Sequence, residues 1–251
     1  MSAKASIEAG SKTEAINSLD LSCFERDDYL NLLLQRSEVM FDIPKSGQII
    51  KAWNRGNVEP ISAVIDDLGI KIAQRAAGVI HAEYLAIEGL LKELKPRRIA
   101  DIGCGYGFFD LFAAMSLKTE IVLIDLEQNE HRHFGFKDQG AAYSSLKVAR
   151  QLLVANNVPA ADIECVNPRE TSPETINPVD LVVSFISCGF HYPVDSYLPT
   201  IDKALKPGGA AIFDLRATTE SEQVEKLAQF GTVTTIAARP KVHRVLLRKD
   251  H

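Results

Sequence analysis

Asp101-Ile102-Gly103-Cys104-Gly105-Tyr106-Gly107 is the stretch of this sequence best suited to hold a ligand. Three glycines at alternate positions let a chain turn sharply after a strand and bring its backbone close to a bound molecule. No β-carbon stands in the way, and a positive φ is cheap for glycine. A helix starting just beyond offers unpaired N–H groups, where a dinucleotide would place its pyrophosphate. Asp125 follows the apolar run Ile121-Val122-Leu123-Ile124. At the end of a strand its carboxylate suits two ribose hydroxyls. The pair makes a nucleoside-cofactor site without deciding which nucleoside.

A second group lies in Ser184-Phe185-Ile186-Ser187-Cys188-Gly189-Phe190-His191-Tyr192-Pro193. It starts where an apolar run ends, and open parallel sheets bind ligands beyond the carboxyl ends of their strands. His191 is the residue type suited to removing a hydroxyl proton near neutral pH. Tyr192 suits a hydrogen bond to the same substrate. Asp195 shares a face with His191 if the segment is helical, so it either orients the imidazole or caps the helix after Pro193. Asp214 and Arg216 flank the end of a later apolar run. Asp214 either shapes the pocket or bonds a turn, and Arg216 either holds an anionic group or lies on the surface. His131, Arg132, His133, Phe134 and Phe136 crowd into the stretch after Asp125. They either fold over the ligand or form a surface loop pinned by the two phenylalanines. Glu127 either contacts the nucleoside or caps a helix. No metal site is assigned: His131 and His133 lack fixed carboxylates beside them, and sequence spacing does not establish whether His191, Asp195 and Asp214 assemble around a divalent ion. His81 reads as a packing or surface histidine.

The elements that must carry these groups switch period near Arg98. Before it the text is helical. Residues 1–18 are small, polar and aperiodic, and a frayed start is expected. A helix begins near Asp27, a second runs from about Glu59 to Gly69, and a third from Ile70 to Leu94 at 3.6-type spacing. Beyond Arg98, strands are expected at 98–102, 120–125, 162–166, 179–186 and 210–214. Helices are expected at 108–116, 140–156, 194–204 and 219–230. A final pair, 233–237 and 242–247, flanks the turn Arg239-Pro240-Lys241 and is expected to include an antiparallel edge strand. Alternating strands and helices imply an α/β fold, a doubly wound and largely parallel sheet covered on both faces. Phe108 and Phe109 either wall the site or pack in the core. Trp53 either closes a pocket or joins the helices to the core.

The 251 residues are 46% hydrophobic and 24% charged with a net charge of -5, enough for a full domain with an appendage. An acidic total does not attract phosphate backbones in bulk, which argues against a nucleic-acid partner. No apolar run is long enough to span a membrane, and the N-terminus does not read as a signal peptide. Cys23, Cys104, Cys165 and Cys188 form no close ligand pair and read as reduced thiols of a cytoplasmic protein.

Three features together resemble the class I S-adenosylmethionine-dependent methyltransferases: the loop Asp101–Gly107, which is G-x-G-x-G rather than G-x-G-x-x-G; the acidic Asp125; and Leu205-Lys206-Pro207-Gly208-Gly209 ahead of the fifth strand. The resemblance covers roughly residues 96–250. It implies a seven-strand Rossmann-like sheet with the last strand antiparallel over 96–251, behind an N-terminal helical region over 1–95 that caps the acceptor site. It implies S-adenosyl-L-methionine as cofactor. Asp101 would hold its ammonium, Asp125 its ribose, and Asn167 its adenine edge unless that asparagine only bonds a turn. Gly103, Cys104, Gly105, Gly107, Leu126 and Ser184 complete the expected cofactor set. His191, Tyr192 and Asp195 form the expected catalytic set. The loop after strand four lacks the Asn-Pro-Pro-Tyr type of sequence, which lowers methylation of exocyclic amino groups. The expectation is O-methylation of a hydroxyl-bearing, sugar-like small molecule by a monomer or homodimer. An RNA or protein methyltransferase and a non-catalytic cofactor-binding protein are the alternatives.

Overall fold

The computed structural model describes residues 3–127 and 144–250. Helices come first: α1 (Ala3–Ser11), α2 (Glu14–Asn17), α3 (Arg26–Gln35), α4 (Ser46–Trp53), α5 (Glu59–Leu68), α6 (Lys71–Leu85) and α7 (Glu88–Leu94). The alternating part comprises β1 (Arg98–Ile102), α8 (Phe108–Leu117), β2 (Glu120–Ile124), α9 (Leu146–Ala155), β3 (Ile163–Val166), β4 (Val179–Ser184) and β5 (Ser187–Tyr192). The chain closes with α10 (Leu198–Lys203), β6 (Leu205–Arg216), α11 (Glu220–Ala228), β7 (Gly231–Ala238) and β8 (Val242–Lys249).

Seven of the strands form one sheet in the order β3-β2-β1-β4-β6-β8-β7, with β5 outside it. β1, β2, β3, β4 and β6 run parallel, and β8 runs antiparallel to both β6 and β7. The last strand is therefore antiparallel as expected, but it sits inside the sheet and β7 takes the edge. The central strands are buried on both faces, which is why they read as unbroken apolar runs. Ile99, Ile121, Leu123, Leu181 and Ile212 face one core with α8 and α9. Ala100, Val122, Val182, Ala211 and Phe213 face the other, with Ile201 of α10 and Leu227 of α11. The N-terminal helices share the first of these cores: Leu32 to Leu34, Ile61, Ile72 and Leu91 pack with Phe108, Leu111 and Phe112.

Four local expectations differ from the structure. Residues 3–11 and 14–17 are helical instead of frayed, and α1 packs closely on α6 at Gly78: a β-carbon there would stand 2.7 Å from the Ser11 nitrogen and 2.9 Å from the Gly10 carbonyl carbon. The long third helix breaks at Ala86–Ile87 into α6 and α7, and the break buries Ile87 while Leu85 faces solvent. The segment Leu205–Gly209 lies within β6 as an irregularity: β4 advances from Val179 to Leu181 while β6 advances from Leu205 to Ala210. Strand four ends at Ser184, and a separate strand, β5, begins at Ser187.

Candidate active site

The glycine loop takes the form its residue types demand. Gly103, Gly105 and Gly107 have φ of +76°, +59° and +71°. A β-carbon on Gly103 would collide with the Ser187 side chain, whereas one on Gly105 would meet nothing within 4 Å. Gly105 thus presents bare backbone to open space. Gly107 precedes α8, and no side chain at the N-cap position bonds the helix's first turn.

Asp125 lies behind the loop. Its Oδ2 accepts from the Gly105 N–H at 2.9 Å and its Oδ1 from the Glu127 N–H at 3.3 Å. Burial raises the Asp125 carboxyl above its ordinary range, against the pull of these backbone donors. Asp101, at the end of β1, is 4% exposed, and its Oδ1 is sealed with no hydrogen-bond donor.

These groups line a cavity of about 390 Å³. Asp101, Gly103, Cys104, Gly105, Asp125 and Leu126 form its floor. His191 and Tyr192 line it from β5, and Leu32, Arg36, Ile80 and Glu83 from α3, α6 and the turn between α3 and α4. Phe109 and Phe185 make an apolar wall, their ring centroids 4.7 Å apart. The Tyr192 hydroxyl lies 3.2 Å from Ser187 Oγ, and burial pushes its phenol well above the ordinary range. The cavity thus brings together most of the expected site residues: the glycine loop but for Gly107, which sits just behind it, and the two aspartates, Leu126, His191 and Tyr192. Phe108 and Phe109 are both buried and both line it.

Three expected residues stand elsewhere. Ser184 is a fully buried staple: its hydroxyl donates to the Ile102 carbonyl at 2.8 Å and accepts from the Cys188 N–H at 2.9 Å. It holds the β4–β5 junction, where Ile186 has a φ of +51°. Asn167 bonds a turn, its Oδ1 accepting from the Arg169 N–H at 3.1 Å. Asp195 pairs with Lys226 at 2.9 Å, half-exposed. The helical spacing that would have joined it to His191 fails because His191 is on a strand.

The remaining alternatives also resolve. Glu127 caps α9, accepting from the Leu146 N–H at 2.7 Å. Trp53 packs against the helical core and does not line the cavity. His81 packs on Phe112, with ring centroids 4.6 Å apart, and burial lowers its pKa. Arg216 donates to the Phe190 carbonyl at 2.9 Å. His131, Arg132, His133, Phe134 and Phe136 lie outside the described residues. Among the described residues no metal-ligand cluster occurs, and no helix is long and apolar enough to cross a membrane.

Sequence reasoning missed Arg244. It lines the cavity from β8, 4% exposed, and its Nε and one terminal nitrogen bond Asp214 at 2.6 and 2.7 Å. Its guanidinium lies 4.6 Å from the centre of the Phe185 ring. A signal exists: Asp214 is already a candidate, and in the final antiparallel pairing Arg244 is its direct register partner.

No protein-family model matches the sequence, and no curated protein matches it. Solved structures do match in fold. A candidate O-methyltransferase from Nostoc punctiforme PCC 73102 superposes with a TM-score of 0.51 at 16% identity, over 72% of this chain and 59% of its own. The S-adenosylmethionine-dependent methyltransferase SibL gives 0.49 at 13% identity, over 75% and 61%. An O-methyltransferase family protein from Burkholderia thailandensis gives 0.45 at 10% identity, over 70% and 60%. The chain spans about three fifths of the length of each. Its strand order and antiparallel last strand, with the first of these superpositions, give it the Rossmann-like fold of the class I S-adenosylmethionine-dependent methyltransferases.

Proposed function

We propose that the protein is an S-adenosylmethionine-dependent methyltransferase that methylates a hydroxyl oxygen of a small, sugar-like acceptor. One observation carries this reading: a single cavity is lined both by the glycine loop with Asp101 and Asp125 and by His191 with Tyr192. The residues fit the cofactor. Asp101 offers an unsatisfied buried carboxyl to its ammonium. Asp125 offers lone pairs to its ribose, and Gly105 leaves room for its backbone approach. Cys104 and Leu126 line the same cavity and would flank the nucleoside.

The cofactor supplies a methyl group already activated on a sulfonium. The protein's part is to align the acceptor behind that carbon and exclude water. Phe109 and Phe185 give the acceptor an apolar wall. His191 takes the hydroxyl proton as the oxygen attacks, a role its chemistry suits near neutrality. Tyr192, kept protonated by burial, donates a hydrogen bond that orients the acceptor. Residues 1–95 act as the cap that selects the acceptor, and residues 96–251 carry the cofactor. The walls contributed by α3 and α6 favour a small molecule over an RNA or protein chain. We place the protein in the cytoplasm as a monomer or homodimer; its four free cysteines suit a reducing compartment.

The test is binding of S-adenosylhomocysteine by calorimetry, then a screen of hydroxylated small molecules with isotopically labelled methyl donor. Binding together with label transfer to a hydroxylated acceptor supports the proposal. Binding with transfer only to RNA or protein replaces the substrate class. No binding overturns the reading.

A further inference from the structure

The guanidinium of Arg244 has more donors than the protein uses. Its Nε and Nη2 bond the two oxygens of Asp214 at 2.6 and 2.7 Å. Its third nitrogen, Nη1, bonds no protein group among the described residues and is not sealed by its neighbours. The side chain is almost wholly buried and lines the cavity, so the two N–H groups of Nη1 are left to a molecule bound there. Asp214 grips the guanidinium by a two-point fork, and the centre of the Phe185 ring lies 4.6 Å from it. The free donors are therefore aimed before a ligand arrives. Apolar residues of similar volume would join β6 to β8 about as well as a buried ion pair does, so joining the strands does not account for the charge.

The sheet register says which end of the cavity Arg244 serves. Asp125 follows β2, on one side of β1, whereas β4, β6 and β8 lie on the other. Asp101 is level with Val183 of β4, Ser184 with Phe213 of β6, and Asp214 with Arg244 of β8. Arg244 thus stands at the edge of the sheet where β1, β4 and β6 end, three strands from β1, about 14 Å at the usual spacing. That is the side away from Asp125, shared with Phe185. The charge around it is already balanced. Asp214 matches Arg244, and Arg36, the other guanidinium in the wall, lies 3.6 Å from both Glu38 and Glu83. No surplus positive charge awaits an anion. We infer that Arg244 is an acceptor-binding residue: its Nη1 donates to a second oxygen of the acceptor, and that oxygen is uncharged, a hydroxyl or a carbonyl. That the molecule so held is the methyl acceptor rests on the function proposed above.

The experiment uses four ring probes on the full chain: cyclohexanol, cyclohexane-1,2-diol, cyclohexane-1,3-diol and 3-hydroxycyclohexanecarboxylate. Ligand-detected NMR titrations measure their binding with and without S-adenosylhomocysteine. The protein is wild type or the double variant Arg244→Met with Asp214→Leu, with thermal unfolding to confirm that the variant is folded. In wild type at least one diol is expected to bind roughly tenfold more tightly than cyclohexanol, the worth of one hydrogen bond to a charged donor, and more tightly than the carboxylate. In the double variant the diols and cyclohexanol are expected to bind alike. A wild type that ranks neither diol above cyclohexanol, a ranking that survives in the double variant, or no binding by any probe overturns the inference. A carboxylate that binds more tightly than both diols overturns the uncharged acceptor. Should the double variant not fold, the wild-type ranking decides alone. An Arg244-dependent ranking in a protein that binds no S-adenosylhomocysteine overturns the methyl-donor reading and leaves the oxygen subsite standing.

Discussion

The hydroxyl of Tyr106, in the middle of the glycine loop, donates to Asp28 Oδ1 on α3 at 2.8 Å. The tyrosine oxygen in turn accepts from Asn31 Nδ2 at 2.8 Å, and all three residues are buried. Asp28 Oδ2 also accepts from the Glu25 N–H at 2.9 Å and closes the capping box that starts α3. The helix that supplies Leu32 and Gln35 to the cavity wall is thereby tied to the loop that forms its floor. Cap and loop are built to hold one geometry, so a change at this junction acts on both.

Tyr106→Phe removes both bonds and nothing else in volume. Each is a buried hydrogen bond and one is to a carboxylate, so a loss of about 2–3 kcal/mol in unfolding free energy is expected. Chemical denaturation measures it. S-adenosylhomocysteine affinity should fall along with stability, because the loop loses its anchor. A loss of stability with unchanged affinity would show that the loop is held by its glycines alone.

His191→Ala is expected to lower kcat by roughly 100-fold or more, the usual worth of a positioned general base. Affinity for S-adenosylhomocysteine should change little, since the proposed function gives His191 to the acceptor and not to the cofactor. A variant that retains wild-type kcat shows that the acceptor needs no base there, as a nitrogen nucleophile would not.

The fold was legible because its signals are local. A buried parallel strand announces itself as an apolar run, and the glycine loop as alternating glycines after such a run. Ser187 and Ile186 were not legible in the same way. Their segment is as apolar as the strand before it, and the turn there is held by the Ser184 hydroxyl, bonded to Ile102 and Cys188, with Ile186 at a positive φ. The new strand carries His191 and removes the helical link to Asp195. The cap contributed Leu32, Arg36 and Ile80 through tertiary packing that no spacing within α3 or α6 encodes.

Arg244 and Asp214 are both almost wholly buried and bonded through two parallel contacts. Breaking such a pair from one side leaves the other charge stranded, at a cost of about 3–5 kcal/mol. Arg244→Met should therefore be severely destabilising, and the double variant Arg244→Met with Asp214→Leu should recover most of the loss in thermal unfolding. A double variant no better than the single one would mean that Arg244 stabilises chiefly through its contact with Phe185 and the cavity wall.

The buried carboxyls give stability a definite pH dependence. Burial, first among the causes, raises Asp101, Asp110 and Asp125 above the values of an unfolded chain. Near pH 4 and above, an unfolded chain releases these protons while the folded protein still binds them. Stability then falls as pH rises, because the folded state holds more protons than the unfolded one. The contribution is fully present below the ordinary carboxyl range and is lost as pH climbs through the raised folded values. Asp110→Asn removes one of these titrations. Its unfolding free energy should exceed that of wild type by on the order of 2 kcal/mol at alkaline pH, and the difference should shrink towards zero near pH 4. Parallel denaturation curves for the two proteins across that range would show instead that Asp110 holds no extra proton in the folded state.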